Sequence, residues 1–522
     1  MNTQNNIWIK YIFIIGIIVF CVGLASVSFN APDYDLWARL IAGGHIVENF
    51  SILKNDFLSY TPTHPWYDHE WGASVFFYLA LKHFGDSGLI LLKGILIALT
   101  ILVCYKTVEL NKPKSTIPYN ILYFAIMFIT VQKSLGLTVR CLLFTCLFFA
   151  LFLYILEKFR KTDNGKYLIL LPIIMLFWGN IHGGCISGLG LIGIYCVGEF
   201  LNKKPIKKYL LALITSTLVL FINPYGVKYV EFLFFAAGMK REYIAEWASS
   251  FSTKYMFSYL RYKLYLIVML LTAIIYHIKN KINYDKIDKT KVLIILAMTY
   301  ISVTHVRHQA FFILTVGTLL YDEFYELYNW LIRKIIPIKN EELKKNLVTL
   351  KEICVYTFVF MLALPPLLNA NKEIRITETK YPRYAIEFIK INKIKGNLFI
   401  NFDWGSYAAY KLYPDNLIVM DGRYEEVYNP ELILQLRDFH ILNGDWYKII
   451  RDYKTDVMII EKQYPVFNEI QKKKEWTLVF ENNLSGVFVP TETVKNEYLM
   501  PIPKSDYYNK TKFRTNAIKK RD

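Results

Sequence analysis

Charged residues make up only 20% of the 522-residue chain, against 54% apolar residues. So little charge, set in short clusters between apolar runs, excludes a disordered polymer, a coiled coil and a soluble nucleic-acid binder. Cysteine is sparse as well. All seven, Cys21, Cys104, Cys141, Cys146, Cys185, Cys196 and Cys354, lie in or at the ends of apolar segments, and the long polar C-terminal part has none. That placement argues against a disulfide scaffold and against cysteine-ligated zinc. The sequence also lacks internal repeats and low-complexity tracts. Acidic residues are outnumbered 43 to 61 by basic ones, a net charge of +18, and the placement of the basic residues points to membrane topology rather than to nucleic acid.

What is present is a series of long apolar runs. The first, 7–29, is long enough to cross a bilayer of about 30 Å and reads as an uncleaved span, although small residues near Ser26 and Ser28 leave cleavage open. Further runs near 87–105, 118–132, 139–156, 167–180, 185–201, 209–222, 257–278, 292–304, 309–321 and 352–369 bring the expectation to about eleven spans. The stretch 292–321 is interrupted by His305-Val-Arg307-His308; the charge pattern favours two short spans over one tilted one. Basic clusters around 106–114, 158–166, 203–208, 279–291 and 333–351 fall on every second connection, which the positive-inside rule places in the cytoplasm. The long connections 30–86 and 223–256 then lie outside. From 370 the pattern changes to alternating short pieces. Strands are expected near 397–402, 417–420, 456–460, 476–480 and 486–489, with helices near 382–392, 430–440 and 445–453.

The fold class expected is therefore a multi-pass α-helical membrane protein with a small C-terminal α/β extracytoplasmic domain. Its domains are 1–369 (transmembrane, with the acidic first outer loop 30–86), 370–495 (the α/β domain) and 496–522 (a basic, disordered tail suited to anionic lipid headgroups). The location expected is the inner (plasma) membrane, N-terminus cytoplasmic and C-terminal domain outside.

Three groups of residues can carry chemistry. Asp33 and Asp35 follow the first span; such a pair can act as a general base toward a hydroxyl or hold a divalent cation, or one of them can simply cap a helix. Trp66, Asp68, His69 and Glu70 form an acidic and aromatic cluster suited to sugar recognition, though interfacial belts use the same aromatics. Arg140, His182, His305 and Arg307 sit where spans emerge on the outer side. An arginine at membrane depth costs roughly 2.5–3.5 kcal/mol, so it keeps an anionic partner, either a structural carboxylate or a lipid phosphate. In the C-terminal part, Asp421-Gly422-Arg423 after a strand reads as a turn with a structural ion pair, the alternative being an acceptor site.

These residues together carry a resemblance. Pro32-Asp33-x-Asp35-Leu36-Trp37, Phe57-x-Ser59-Tyr60, Trp66-x-Asp68-His69-Glu70-Trp71, Arg140, Asn180-x-His182-Gly183, Asn223-Pro224-Tyr225-Gly226 and Glu246-Trp247 resemble a group of bacterial multi-pass proteins. That group looks like part of the GT-C glycosyltransferase superfamily, related to the protein mannosyltransferases and the lipid A aminoarabinose transferases. The likeness runs from about residue 8 to about residue 490. It implies a hexosyl- or pentosyltransferase that takes a sugar from a polyprenyl-phosphate donor at the outer leaflet by direct displacement with inversion. Asp35, with Asp33, would be catalytic. Arg307, Arg140 and His305 would hold the donor phosphate. Trp66, Asp68, His69, Glu70 and His182 would contact sugar or acceptor, and a divalent cation, if one is used, would be held among Asp33, Asp35, His69 and Glu70. The partners implied are the lipid-linked sugar, membrane lipids and a glycan, lipid or protein acceptor, with no nucleic acid. A nucleotide-sugar donor is not expected, because the inner connections are too short for a nucleotide-binding domain and hold no G-x-G-x-x-G or P-loop pattern. Competing readings are a transporter or lipid flippase, a non-catalytic envelope scaffold, and a polymerase or ligase of lipid-linked glycans.

Overall fold

The computed structural model describes residues 16, 32–111, 117–134, 138–239, 241, 244–335, 373–500 and 509–510. The expected span 7–29, apart from residue 16, and the expected span 352–369 lie outside the described residues, as does the tail beyond 500 apart from 509–510. By internal contacts the chain forms two compact units. One comprises Met1–Phe29 with Ile90–Asn371, the other Asn30–Leu89 with Lys372–Asp522. Contacts thus group the first long loop with the C-terminal residues.

The first unit is helical. Leu142–Thr162, Leu170–Ile181, Ile186–Leu201, Lys207–Leu218, Leu260–Lys279, Lys289–Thr304 and Gln309–Leu319 follow the apolar runs of the sequence. The helices Leu142–Thr162 and Leu260–Lys279 and the stretch Gly183–Leu201 are long and apolar enough to cross a membrane, as is Trp71–Glu109, which is kinked at Gly85 and whose residues up to Leu89 group with the second unit. On Leu260–Lys279 the exposed face is itself apolar, with Leu264, Ile267, Leu271, Ile274 and Ile278 outward. That arrangement is stable in lipid, where only the backbone must be satisfied internally. The stretch 292–321 is two helices, separated at His305 by the short turn Val306–His308. Close packing needs small residues: a Cβ on Gly198 would collide with Thr290, so Gly198 lets Ile186–Leu201 approach Lys289–Thr304. Arg160 ties three elements together through Glu157, Glu199 and Asp288 at 3.0, 2.9 and 2.8 Å.

The second unit is built on a five-stranded sheet. Its strands are β1 (Gly396–Phe399), β2 (Asn416–Ile418), β3 (Val457–Glu461), β4 (Trp476–Glu481) and β5 (Ser485–Pro490), in the order β2-β1-β3-β5-β4. The first three are parallel and the last two antiparallel. Parallel neighbours need a crossover, and the helix Phe402–Leu412 supplies it between β1 and β2. The strand centres read as near-continuous apolar runs because they are covered, with Val457, Met458, Ile459 and Ile460 all fully buried.

The first loop extends this sheet. Ser59 bridges to Ile418 at the β2 edge, where Ile418 N donates to Leu58 O at 2.8 Å and Tyr60 N donates to Ile418 O at 3.1 Å. A buried ion cluster pins the same loop: Arg423 pairs with Asp421 at 2.8 Å and also with Asp56. Burial by itself would push the Asp56 carboxyl up, but the adjacent guanidinium holds it below the usual carboxylate range. The Asp-Gly-Arg turn is thus an ion-pair anchor for the loop. An edge strand that would otherwise expose unpaired backbone groups is covered in this way.

Candidate functional site

The site in the second unit starts at the helix Leu36–Asn49. Its inner face buries Leu36, Trp37, Leu40 and Ile41. Trp37 sits among Tyr381, Tyr407 and Tyr410 at ring distances of 6.0, 4.9 and 5.2 Å. This aromatic clasp fixes the residues just before the helix. Asp35 occupies the N-cap position without a side-chain capping bond and is exposed. Its carboxylate lies against the backbone at Gly422, where a Cβ would collide with Asp35 Oδ1. Asp33 is half-buried. Burial first, then Asp403, Glu461 and Asp33, push the neighbouring Tyr34 phenol up.

One helical turn onward, Arg39 gathers three carboxylates. Its Nη1 is 2.5 Å from Asp68 Oδ1, its Nε 2.9 Å from Glu70 Oε2 and its Nη2 2.6 Å from Glu426 Oε1. His69 Nδ1 lies 3.3 Å from Glu426 Oε1, and Trp66 Nε1 donates to Glu426 Oε2 at 2.7 Å. Three acids on one guanidinium leave a formal charge of −2 in a site where the side chains of Arg39 and Asp68 are 3% and 0% exposed. Burial pushes the Asp68 carboxyl up against the pull of Arg39. It pushes Glu426 well above the usual carboxylate range, with Asp68 and Glu70 adding to the effect. The site therefore calls for protons or a cation. His69, Glu70 and Glu426 each offer a ligand atom within 4.8 Å of the others, a donor set that suits a divalent cation. Asp68 Oδ2 is buried with no hydrogen-bond partner, as expected where a cation or proton completes the charge balance. Asp33 and Asp35 are not members of this ligand group.

Two expected sugar contacts have other surroundings. Trp66 is fully buried, with the Arg423 guanidinium 4.8 Å over its ring, so it positions Glu426 instead of offering a ring face. Asp68 is likewise enclosed and orients Arg39. Glu426 was not singled out by sequence. It sits in the short helix Tyr424–Val427, and its one local signal is the Asp-Gly-Arg turn immediately before it.

The first unit holds a second cluster, built on the connection ending in Glu246 and Trp247 and on the turn Val306–His308. Arg241 and Arg307 place their guanidinium carbons 4.5 and 4.8 Å from the Trp247 ring centre. His305 and His308 lie 5.1 and 5.7 Å from the same ring. Ser250 N donates to Val303 O at 3.0 Å and Val306 N to Ala248 O at 3.1 Å, which locks the two segments together. Arg140 makes a two-pronged ion pair with Glu246 at 3.0 and 2.9 Å, so its fork is filled by a carboxylate of the protein. His182 is 6% exposed; its Nδ1 accepts from Gly184 N at 2.8 Å and lies 2.8 Å from Thr145 Oγ1, which makes it a cap between two helices. Arg241 was not singled out by sequence; its proximity to Glu246-Trp247 was the available signal.

No family model and no curated protein sequence matches the chain. Solved structures do. The archaeal oligosaccharyltransferase AglB from Archaeoglobus fulgidus, in complex with an inhibitory peptide and a dolichol-phosphate, is similar with a TM-score of 0.56 at 10% identity, over 94% of this chain and 76% of that one. ArnT from Cupriavidus metallidurans in the apo state is similar with a TM-score of 0.54 at 10% identity, over 93% of this chain and 98% of that one. The fold is that of the GT-C glycosyltransferases. ArnT bound to undecaprenyl phosphate gives a TM-score of 0.50 at 9% identity over the same shares. At such identity the likeness establishes the GT-C fold, and the argument for activity must come from the two clusters themselves.

Proposed function

We propose that the chain is a membrane glycosyltransferase that moves a sugar from a polyprenyl-phosphate donor to a glycan, lipid or protein acceptor. The observation that carries this reading is the convergence of Arg241, Arg307, His305 and His308 on Trp247, at the ends of apolar helices. Guanidinium groups pair with phosphate oxygens in a fork geometry, which suits them to a lipid-borne phosphate. The GT-C neighbours include proteins solved with dolichol-phosphate and with undecaprenyl phosphate, which supports the same donor class. The alternating basic linkers support reaction at the outer face of the inner membrane, with the N-terminus cytoplasmic, about eleven spans and the C-terminal domain outside.

In this mechanism Asp35 accepts the proton of the acceptor hydroxyl, and the resulting oxygen nucleophile attacks the anomeric carbon from the face opposite the phosphate. The bond to the phosphate breaks and configuration inverts. Within the first unit, Arg307 and Arg241 are the groups suited to pair with a lipid phosphate as its negative charge grows on departure. A divalent cation held by His69, Glu70 and Glu426 would supply the positive charge that Arg39 alone does not, and so order the first loop. The experiment is a transfer assay on the purified chain, with a radiolabelled polyprenyl-phosphate sugar in one arm and nucleotide sugars in the other. Transfer from the lipid-linked donor is expected; transfer from the nucleotide sugar alone would overturn the proposal.

A further inference from the structure

Two helical segments of the second unit end in phenyl rings that stand out of the fold. Phe50 follows the helix Leu36–Asn49 and is 95% exposed. Phe84 ends the first part of the helix Trp71–Glu109, just before its kink at Gly85, and is 71% exposed. Single exposed apolar side chains are common on any protein surface. Backbone conformation, packing and chain continuity set these two apart.

Phe50 has φ +50° and ψ +35°, in the left-handed region. A helix stop in that region is ordinarily Gly or Asn, because a bulky side chain is strained there. An exposed ring gains no packing in return. The two rings also share one end of a helix pair. A Cβ on Gly43 would collide with Ser74 O, and one on Gly44 would lie 3.0 Å from the Tyr78 ring, so the glycines let the helices touch. One turn further on, the Tyr78 hydroxyl donates to Glu48, and Lys82 Nζ is 4.0 Å from the same carboxylate oxygen. Partners thus advance together, Gly43 with Ser74 and Glu48 with Lys82. The helices therefore run side by side in the same direction, and Phe50 comes level with Phe84.

The chain itself says what medium lies near that end. Three residues after Phe84 begins the apolar run 87–105, in a helix long and apolar enough to cross a membrane. At no more than about 3.6 Å per residue, Phe84 is within about 11 Å of a segment that lies in lipid. Lys82 and His83, both exposed, directly precede Phe84. Apolar rings beside basic groups at the start of a span suit the boundary between headgroups and acyl chains.

We propose that Phe50 and Phe84 form a lipid anchor, with both rings inserted at the headgroup level of the leaflet where this span begins. The occupant of the surface is lipid and not a second protein. The consequence reaches the proposed base. The helix Leu36–Asn49 has Asp35 at one end and Phe50 at the other, and its fourteen residues rise about 21 Å in all. An inserted Phe50 pins one end of that helix to the membrane, which restrains the height of Asp35 above it. The anchor rests on the span and not on the reaction, so it stands or falls separately from the glycosyltransferase reading.

The test uses the full chain in lipid nanodiscs, with trifluoromethyl-phenylalanine placed at one position at a time. The positions are Phe50, Phe84 and, as a water-facing reference in the same unit, Lys454, whose side chain is 83% exposed. Fluorine NMR linewidths are read with a nitroxide-bearing lipid in the disc and, separately, with a water-soluble gadolinium chelate. The labels at Phe50 and Phe84 are expected to broaden with the nitroxide lipid and to stay sharp with the chelate, the reverse of the reference. Broadening of the Phe50 label by the chelate to the extent seen at Lys454 would overturn the proposal. So would a Phe50 label that neither agent reaches, because a second copy or another protein would then cover the ring. The label keeps the phenyl ring and adds its bulk on the exposed side, so the fold is retained at Phe50; should the label at Phe84 disturb the kink at Gly85, the label at Phe50 decides alone.

Discussion

Replacing Arg39 by methionine is the sharpest perturbation of the carboxylate cluster. The thioether fills much of the volume but removes all three ion pairs, at 2.5, 2.9 and 2.6 Å. Asp68 and Glu426 are almost fully enclosed, so the stranded acids must either stay charged without a partner or take up protons. Breaking a buried pair from one side costs about 3–5 kcal/mol. For a unit of this size that corresponds to a fall in melting temperature on the order of 10 °C. The assay is thermal unfolding of the purified protein in detergent, followed by tryptophan fluorescence. Because the formal charge of the cluster would go from −2 to −3, divalent cation should recover more of the loss in Arg39→Met than it adds to the wild type. A variant melting within about 2 °C of wild type would refute the claim that one guanidinium balances three buried acids.

Other outcomes follow from the same geometry. Gly422→Ala places a methyl against the Asp35 carboxylate and should cut transfer while leaving the melting temperature nearly unchanged; equal rates for the two proteins would remove Asp35 from the reaction. Arg307→Lys keeps the charge but loses the fork over Trp247, so donor binding in a lipid-phosphate titration should weaken about tenfold with the fold retained. Failure of this variant to fold would mark Arg307 as a structural residue. Asp68 and Glu426 have folded pKa values above their unfolded ones, so their stabilisation is present at low pH and lost as pH rises through the folded values. A divalent cation displaces those protons, so its stabilising effect should grow from mildly acidic to alkaline pH; an effect independent of pH would argue against binding at His69, Glu70 and Glu426.

The helices of the first unit were legible because an apolar run of span length has few other fates, and the break at His305 was visible as polar residues inside such a run. The strands were legible because Val457–Glu461 and Ser485–Pro490 are short, apolar and bounded by turn residues. The helix Phe402–Leu412 was not, since Phe-Asp-Trp-Gly-Ser-Tyr has no helical periodicity and is held by burial of Trp404 and Tyr407. In the site, local spacing exposed Asp33, Asp35 and the Asp68-His69-Glu70 run. It could not expose Glu426, which meets Arg39 from 387 residues away. Nor could it show that Arg140 pairs with Glu246 or that Arg307 lies over Trp247. Long-range pairing decides both cases, and a single sequence does not encode it locally.

The most direct test of the account is single-turnover transfer from a radiolabelled polyprenyl-phosphate sugar by wild type and by Asp35→Asn, with melting temperatures measured on the same preparations. Loss of the general base should slow transfer on the order of 10²-fold or more, with unfolding unchanged. Wild-type rates from Asp35→Asn and from the paired variant Asp33→Asn, both folded, would contradict it.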